Sequence, residues 1–98
     1  MSDKKIMIVN ALLNVKEKEA FEYYSEHSVP LFKNAGAESI AKHKVEETLI
    51  GAEKIHVVSI LEFPTRQAIK DVFESEAYKA LLPYRDKAFM KLDVFIGN

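Results

Sequence analysis

Six side chains of this sequence suit chemistry on a small molecule: His27, Glu62, Arg85, Tyr24, Tyr78 and Tyr84. Histidine titrates near neutrality and serves as a general base or as a donor to a ligand. His27 lies one helical turn after Tyr23, at the border of an apolar helix face. Glu62 stands near the end of an apolar strand, where a buried carboxylate needs a partner and without one its pKa rises. Arg85 is the natural partner, because a guanidinium meets a carboxylate through two parallel hydrogen bonds. The couple would be either the polar end of a ligand cleft or a structural clamp between sheet and helices. The three tyrosines bury their rings and keep a polar tip, and an aromatic cleft with phenol donors suits a small, flat organic molecule. Ordinary core packing has the same composition. In the cleft reading His27 or Glu62 moves a proton, while a tyrosine or Arg85 steadies developing negative charge.

Other chemistries find less support. The chain has no cysteine, which removes disulfides, thiolate nucleophiles and cysteine metal sites. His43 and His56 fall on different strands, and no two histidines have ligand spacing. His56 and Glu62 share a strand face but lie about 20 Å apart, too far to hold one metal. No glycine-rich phosphate loop and no Ser-His-Asp-like pattern is readable. We therefore expect no metal and no cofactor. Fourteen basic against 15 acidic residues, a net charge of −1, argue against a nucleic-acid partner. No stretch approaches membrane-spanning length. The start, "MSDKKIMIVNALLN", imitates a signal peptide, but Asn10 interrupts its apolar run and no small-residue cleavage site follows. It reads as a strand. With the absence of cysteine this fits a reducing cytoplasm.

The elements that must position these residues are readable from periodicity. At 98 residues the chain is expected to form one domain over 1–98. Residues 4–14 suit a buried strand. Residues 16–36 read as a helix with Phe21, Tyr24, Ser28, Leu31, Phe32 and Ala35 on one face. Pro30 should break it, leaving Ser28 to cap a restarted turn and re-aim Leu31 and Phe32 at the sheet. Gly36 sits where a helix-ending glycine is expected. Residues 37–51 alternate charge as an edge strand does, and residues 54–63 form a strong strand apolar on both faces. Thr65 caps a helix over 66–74. Ser75 starts a short helix that Pro83 interrupts. Residues 89–98 are the final strand, with Met90, Leu92, Val94 and Ile96 on one face.

The order is β-α-β-β-α-β, an α+β ferredoxin-like arrangement. It predicts a four-stranded antiparallel sheet with both main helices on one face and the first and third strands central. Those strands are apolar on both faces, so helices on one side leave an apolar face bare. Exposing such a face is unusual for a soluble monomer. A second copy packed across a two-fold axis covers it, which makes the chain its own expected partner.

The stretch "LEFPT…FESEAYKALLPYRDKA" (residues 61–88) resembles the domain of unknown function 1330 family of the dimeric α/β-barrel superfamily. The matching positions are Glu62, Phe63, Pro64, Thr65, Ser75, Tyr78 and Arg85, with Pro30 and Gly36 at the end of the first helix. The resemblance implies a homodimeric barrel with a cleft between each sheet and its helices. The superfamily includes cofactor-free monooxygenases, isomerases, haem-binding enzymes and proteins with no assigned activity, and the family itself supplies no agreed catalytic set. Two readings follow. One is a small homodimer that binds a small organic molecule, as a monooxygenase- or isomerase-like enzyme, with Tyr24, Ser28, Tyr78, Tyr84 and Arg85 in its lining and His27 and Glu62 as catalytic candidates. The other is a non-catalytic binding or regulatory dimer with a filled core.

Overall fold

The computed structural model describes residues 3–52 and 54–98. Its elements run β1 (Lys5–Leu13), α1 (Lys18–Asn34), β2 (Glu38–Lys44), β3 (Val57–Phe63), α2 (Arg66–Glu74), α3 (Glu76–Lys79), α4 (Leu82–Ala88) and β4 (Phe89–Gly97). Met1 and Ser2, where the signal-like stretch begins, lie outside the described residues; from Lys5 onward that stretch is β1. The strands pair antiparallel in the order β2-β3-β1-β4. The doubly apolar strands are central, as expected. The charged strand carrying Lys42 and Lys44 is an edge, where charge discourages further pairing.

Strand parity sorts the side chains. Met7, Ala11 and Phe63 point under the helices and are buried. Ile6, Ile8, Leu12, Val58 and Ile60 point to the other side and are only half-buried, and Phe95 beside Ile8 is half exposed. The molecule measures 17 Å in its shortest dimension. Stacked layers lie about 10 Å apart, so this is one sheet and one helix layer, and the outer sheet face has no cover among the described residues. No helix among the described residues is long and apolar enough to cross a membrane.

Three local features differ from expectation. First, α1 does not break at Pro30. It runs through to Asn34, and Ser28 is buried in its inner face instead of capping a new turn. Proline lacks the N–H that would bond the Glu26 carbonyl, but Glu26 and Pro30 are both exposed, so that carbonyl faces water. Beyond the proline, Leu31 and Phe32 pack into the core and hold the last turns in line. Second, Pro83 does not end a helix; it sits in the first turn of α4, where its missing N–H is harmless. Third, the β1–β4 register shifts between Leu12 and Leu13, so Leu13 partners Phe89 and Met90 is left out of the pairing, 71% exposed. On the β3 side of the same strand end, the Leu13 N–H donates to Nδ1 of His56 at 3.1 Å.

The helix ends follow the sequence. Gly36, at φ 92°, closes α1: its N–H bonds the Lys33 carbonyl and the Ala37 N–H bonds the Phe32 carbonyl, the paired pattern of a Schellman motif. A Cβ at Gly36 would also stand 2.8 Å from Pro64. Thr65 Oγ1 accepts from the Ala68 N–H at 3.0 Å to start α2, and Ser75 Oγ accepts from the Tyr78 N–H at 3.2 Å to start α3. The second cap fixes where Tyr78 enters the core.

Candidate functional site

The structure sorts the sequence candidates into three places. Tyr24, Ser28, Tyr78 and Arg85 come together beneath the helices. Tyr24 on α1 and Tyr78 on α3 bring their hydroxyls to 2.8 Å. Arg85 on α4 donates from a terminal guanidinium nitrogen to the Tyr78 hydroxyl at 3.3 Å, and its guanidinium carbon lies 5.7 Å from the centre of the Tyr78 ring. Tyr78 is 1% exposed. Burial pushes the Tyr24 phenol far above its ordinary range; the bond to Tyr78 adds to the shift, and Arg85 and the nearby Ser28 hydroxyl oppose it. Tyr24 is therefore a neutral phenol at any physiological pH. It offers a hydrogen bond and does not act as a base.

His27 and Tyr84 stand elsewhere, on the outer side of α1 and α4. Both stack on Tyr23, with ring centres 4.0 Å apart in each pair. His27 is exposed, and its Nδ1 lies 2.9 Å from the Tyr23 carbonyl one turn earlier. A carbonyl only accepts, so Nδ1 carries the proton. The Tyr23 phenol is raised above its ordinary pKa, first by the charge of Tyr84.

Glu62 is in a third place, and the expected Glu62–Arg85 couple does not form. Phe63 faces the helices, so parity turns Glu62 to the outer face, across from Ile6 and Glu38. There it pairs with Lys4 at 3.4 Å. Arg85 is engaged on the helix side by Tyr78 and lies 3.8 Å from Asp86.

Between α1 and the inner face of the sheet lies a cavity of about 340 Å³. Its walls are mainly apolar, with Met7, Val9, Phe32, Leu61 and Phe89 among them, and Tyr24 supplies a buried phenol. The hollow follows from side-chain size. Ala11, Ala37, Ser39 and Ser59 line the sheet side and Ser25 lines the helix side, and small side chains leave space that larger ones would fill. Lys33 and Lys42, both exposed, stand at its rim. No aspartate, glutamate or histidine is among the described residues that line it. None of these serines and lysines is among the candidates that residue type and spacing single out. One signal was available: Ser59 is a lone small polar residue inside the apolar run "VVSILEF", with a parity that turns it inward.

A shallower groove of about 660 Å³ lies on the other side of an aromatic wall, along β4. Phe73, Phe89, Leu92 and Val94 border both spaces, and Arg85 reaches solvent in the groove. The Tyr24–Tyr78–Arg85 chain thus runs from the cavity wall to the groove.

Residues 5–96 match the family described as Domain of unknown function (DUF1330). No curated protein matches the chain. Among solved structures, the fold resembles a protein of unknown function from Rhodopseudomonas palustris, with TM-score 0.83 and 21% identity over 98% of this chain and 82% of that one. A dimeric protein of unknown function with a ferredoxin-like fold from Bacteroides fragilis gives TM-score 0.64 and 14% identity over 97% and 95%. SnoaB, a cofactor-independent oxygenase from Streptomyces nogalater, gives TM-score 0.68 and 8% identity over 99% and 93%. At these identities the likeness is one of fold, and it agrees with the sheet order and helix placement described above.

Proposed function

The chain belongs to the DUF1330 family, and from that premise we propose that it binds a small, mostly apolar organic molecule between α1 and the sheet, as a homodimer joined through the outer sheet face. The cavity carries this reading. Ligand sites are concave, mainly apolar and furnished with a few convergent polar groups, with volumes of about 300–1,000 Å³. A space of about 340 Å³ with Tyr24, Ser25, Ser39 and Ser59 in its lining fits the small end of that range. The bare apolar face formed by Ile6, Ile8, Val58, Ile60 and Phe95 supports self-association, and the B. fragilis neighbour is described as dimeric.

The cavity lining favours binding over proton transfer by the sequence's two catalytic candidates, since His27 and Glu62 both lie outside it. In an enzyme of the monooxygenase- or isomerase-like type, Tyr24 is the group placed to act. A neutral phenol at the cavity wall donates a hydrogen bond to an oxygen on which negative charge develops, and Tyr78 and Arg85 behind it hold it in position.

Thermal-shift screening with small aromatic and aliphatic metabolites tests the reading. A ligand at a hundred times its Kd adds about 2.7 kcal/mol to stability, a readily seen rise in Tm. Binding should vanish in Ser59→Phe, which fills the cavity; a ligand that still binds this variant sits elsewhere. Sedimentation at micromolar concentration should show a dimer, and a monomeric mass would remove the second half of the proposal.

A further inference from the structure

Resting on the reading that the cavity holds a small apolar molecule, we infer that its ligand is an apolar monocarboxylate, with its hydrocarbon body under α1 and its carboxylate at the rim beside Lys33 and Lys42. The charges around the cavity carry this. The chain has 15 acidic and 14 basic residues, so a random lining would mix signs. This one has two lysines and no acid among its described residues.

The lysines are also unspent. Among the described residues neither Lys33 nor Lys42 forms an ion pair, while Lys18, Lys79 and Arg85 each have a carboxylate within 4.0 Å. The acids on the neighbouring strands do not reach them. Glu38 and Glu62 are register partners on the outer face of the sheet. Lys42 is instead the register partner of Ser59, with Ser39 on the same inward-facing side of β2, and both serines line the cavity. From α1, Lys33 and Ser25 approach the same space.

A carboxylate at this rim meets two ammonium groups and serine hydroxyls, and charge-assisted hydrogen bonds are stronger than neutral ones. An amine would meet two like charges there. A neutral ligand would leave the lysines unused. At the other end, the Phe32, Phe73 and Phe89 rings and the Met7, Val9 and Leu61 side chains offer no partner for charge. The volume of about 340 Å³ limits the body to a short one, an aromatic ring or a medium aliphatic chain.

The test compares 3-phenylpropionate and octanoate with their primary amides by calorimetric titration of the full chain at low salt. The acids should bind up to about fivefold tighter than the amides, since a partly exposed ion pair is worth up to about a factor of five. In the Lys33→Met/Lys42→Met variant that ratio should fall towards one, with amide binding retained. A Lys16→Met/Lys18→Met variant carries the same loss of charge away from the rim and should keep the preference. Added salt should narrow the ratio in the native chain. If acid and amide bind equally, the inference fails and the cavity reading stands. If the preference survives loss of Lys33 and Lys42, or falls equally in the Lys16/Lys18 control, the rim is not its source and the inference fails. If neither acids nor amides bind, the cavity reading fails with it.

Discussion

Tyr23 and Tyr24 are consecutive residues of α1, yet each belongs to a different cluster built on the same helices. Tyr24 turns inward to Tyr78 and Arg85; Tyr23 turns outward to His27 and Tyr84. Both clusters combine phenols with a basic side chain, and both close about one turn of α1 against α4 or its neighbour. The inner phenols bond to each other out of water, so the Tyr24 proton is held strongly. The outer rings stack in contact with solvent, where contacts add little. Residue type and spacing are nearly the same in the two clusters. Burial alone makes one a fixed wall of the cavity and the other a surface decoration.

The sharpest contrast should come from truncation. Tyr78→Ala should cost about 3–5 kcal/mol, as buried aromatic truncations do, whereas Tyr84→Ala should cost less than about 1 kcal/mol. Equilibrium unfolding in urea measures both, and similar losses would break the comparison.

Alkaline pH should separate the clusters next. A raised folded-state pKa contributes stability that is fully present below the unfolded value, here 10.0, and lost as pH rises through the folded one. Above pH 10 the unfolded chain releases the Tyr24 proton and the folded chain keeps it. Stability should therefore fall by up to about 1.4 kcal/mol per pH unit from this group. Tyr24→Phe should flatten that decline, and a decline of unchanged slope would count against the buried phenol pair.

Removing only the hydroxyl is gentler. Tyr24→Phe at neutral pH should cost about 1 kcal/mol, because Tyr78 keeps its bond from Arg85 and is not left unpartnered. Smallest of all, His27→Ala should change stability by less than about 0.5 kcal/mol and leave ligand affinity unaltered. A lost affinity in this variant would bring His27 back to the site and show that the outer stack is more than surface.

Much of this arrangement was legible in the sequence. The apolar runs on both faces of β1 and β3 place these strands centrally, and the caps at Thr65, Ser75 and Gly36 fix helix ends that the structure keeps. The wheel that groups Tyr24 and Ser28 on the inner face of α1 found half of the polar cluster. What escaped was set by tertiary context. Pro30 should have broken α1, but core packing on both sides of an exposed carbonyl overrode a local rule. Met90 lost its inward place to a bulge that no residue type announces. Charge alone pairs Arg85 with Glu62, but strand parity beside Phe63 sends the carboxylate to the opposite face. The cavity itself is an absence of side-chain volume, made by Ala11, Ser25, Ser39 and Ser59 on four separate elements or strands. Only their juxtaposition in the fold reveals it.

The central claim is that this hollow, and not the open groove beyond the aromatic wall, takes the ligand. Met7 lines the cavity alone and Met90 the groove alone. Their methyl signals, labelled with carbon-13 and followed by NMR during titration with 3-phenylpropionate, report on the two spaces separately. A ligand in the cavity should give a saturable shift of the Met7 signal with Met90 unmoved. A shift at Met90 with Met7 unmoved would contradict the claim.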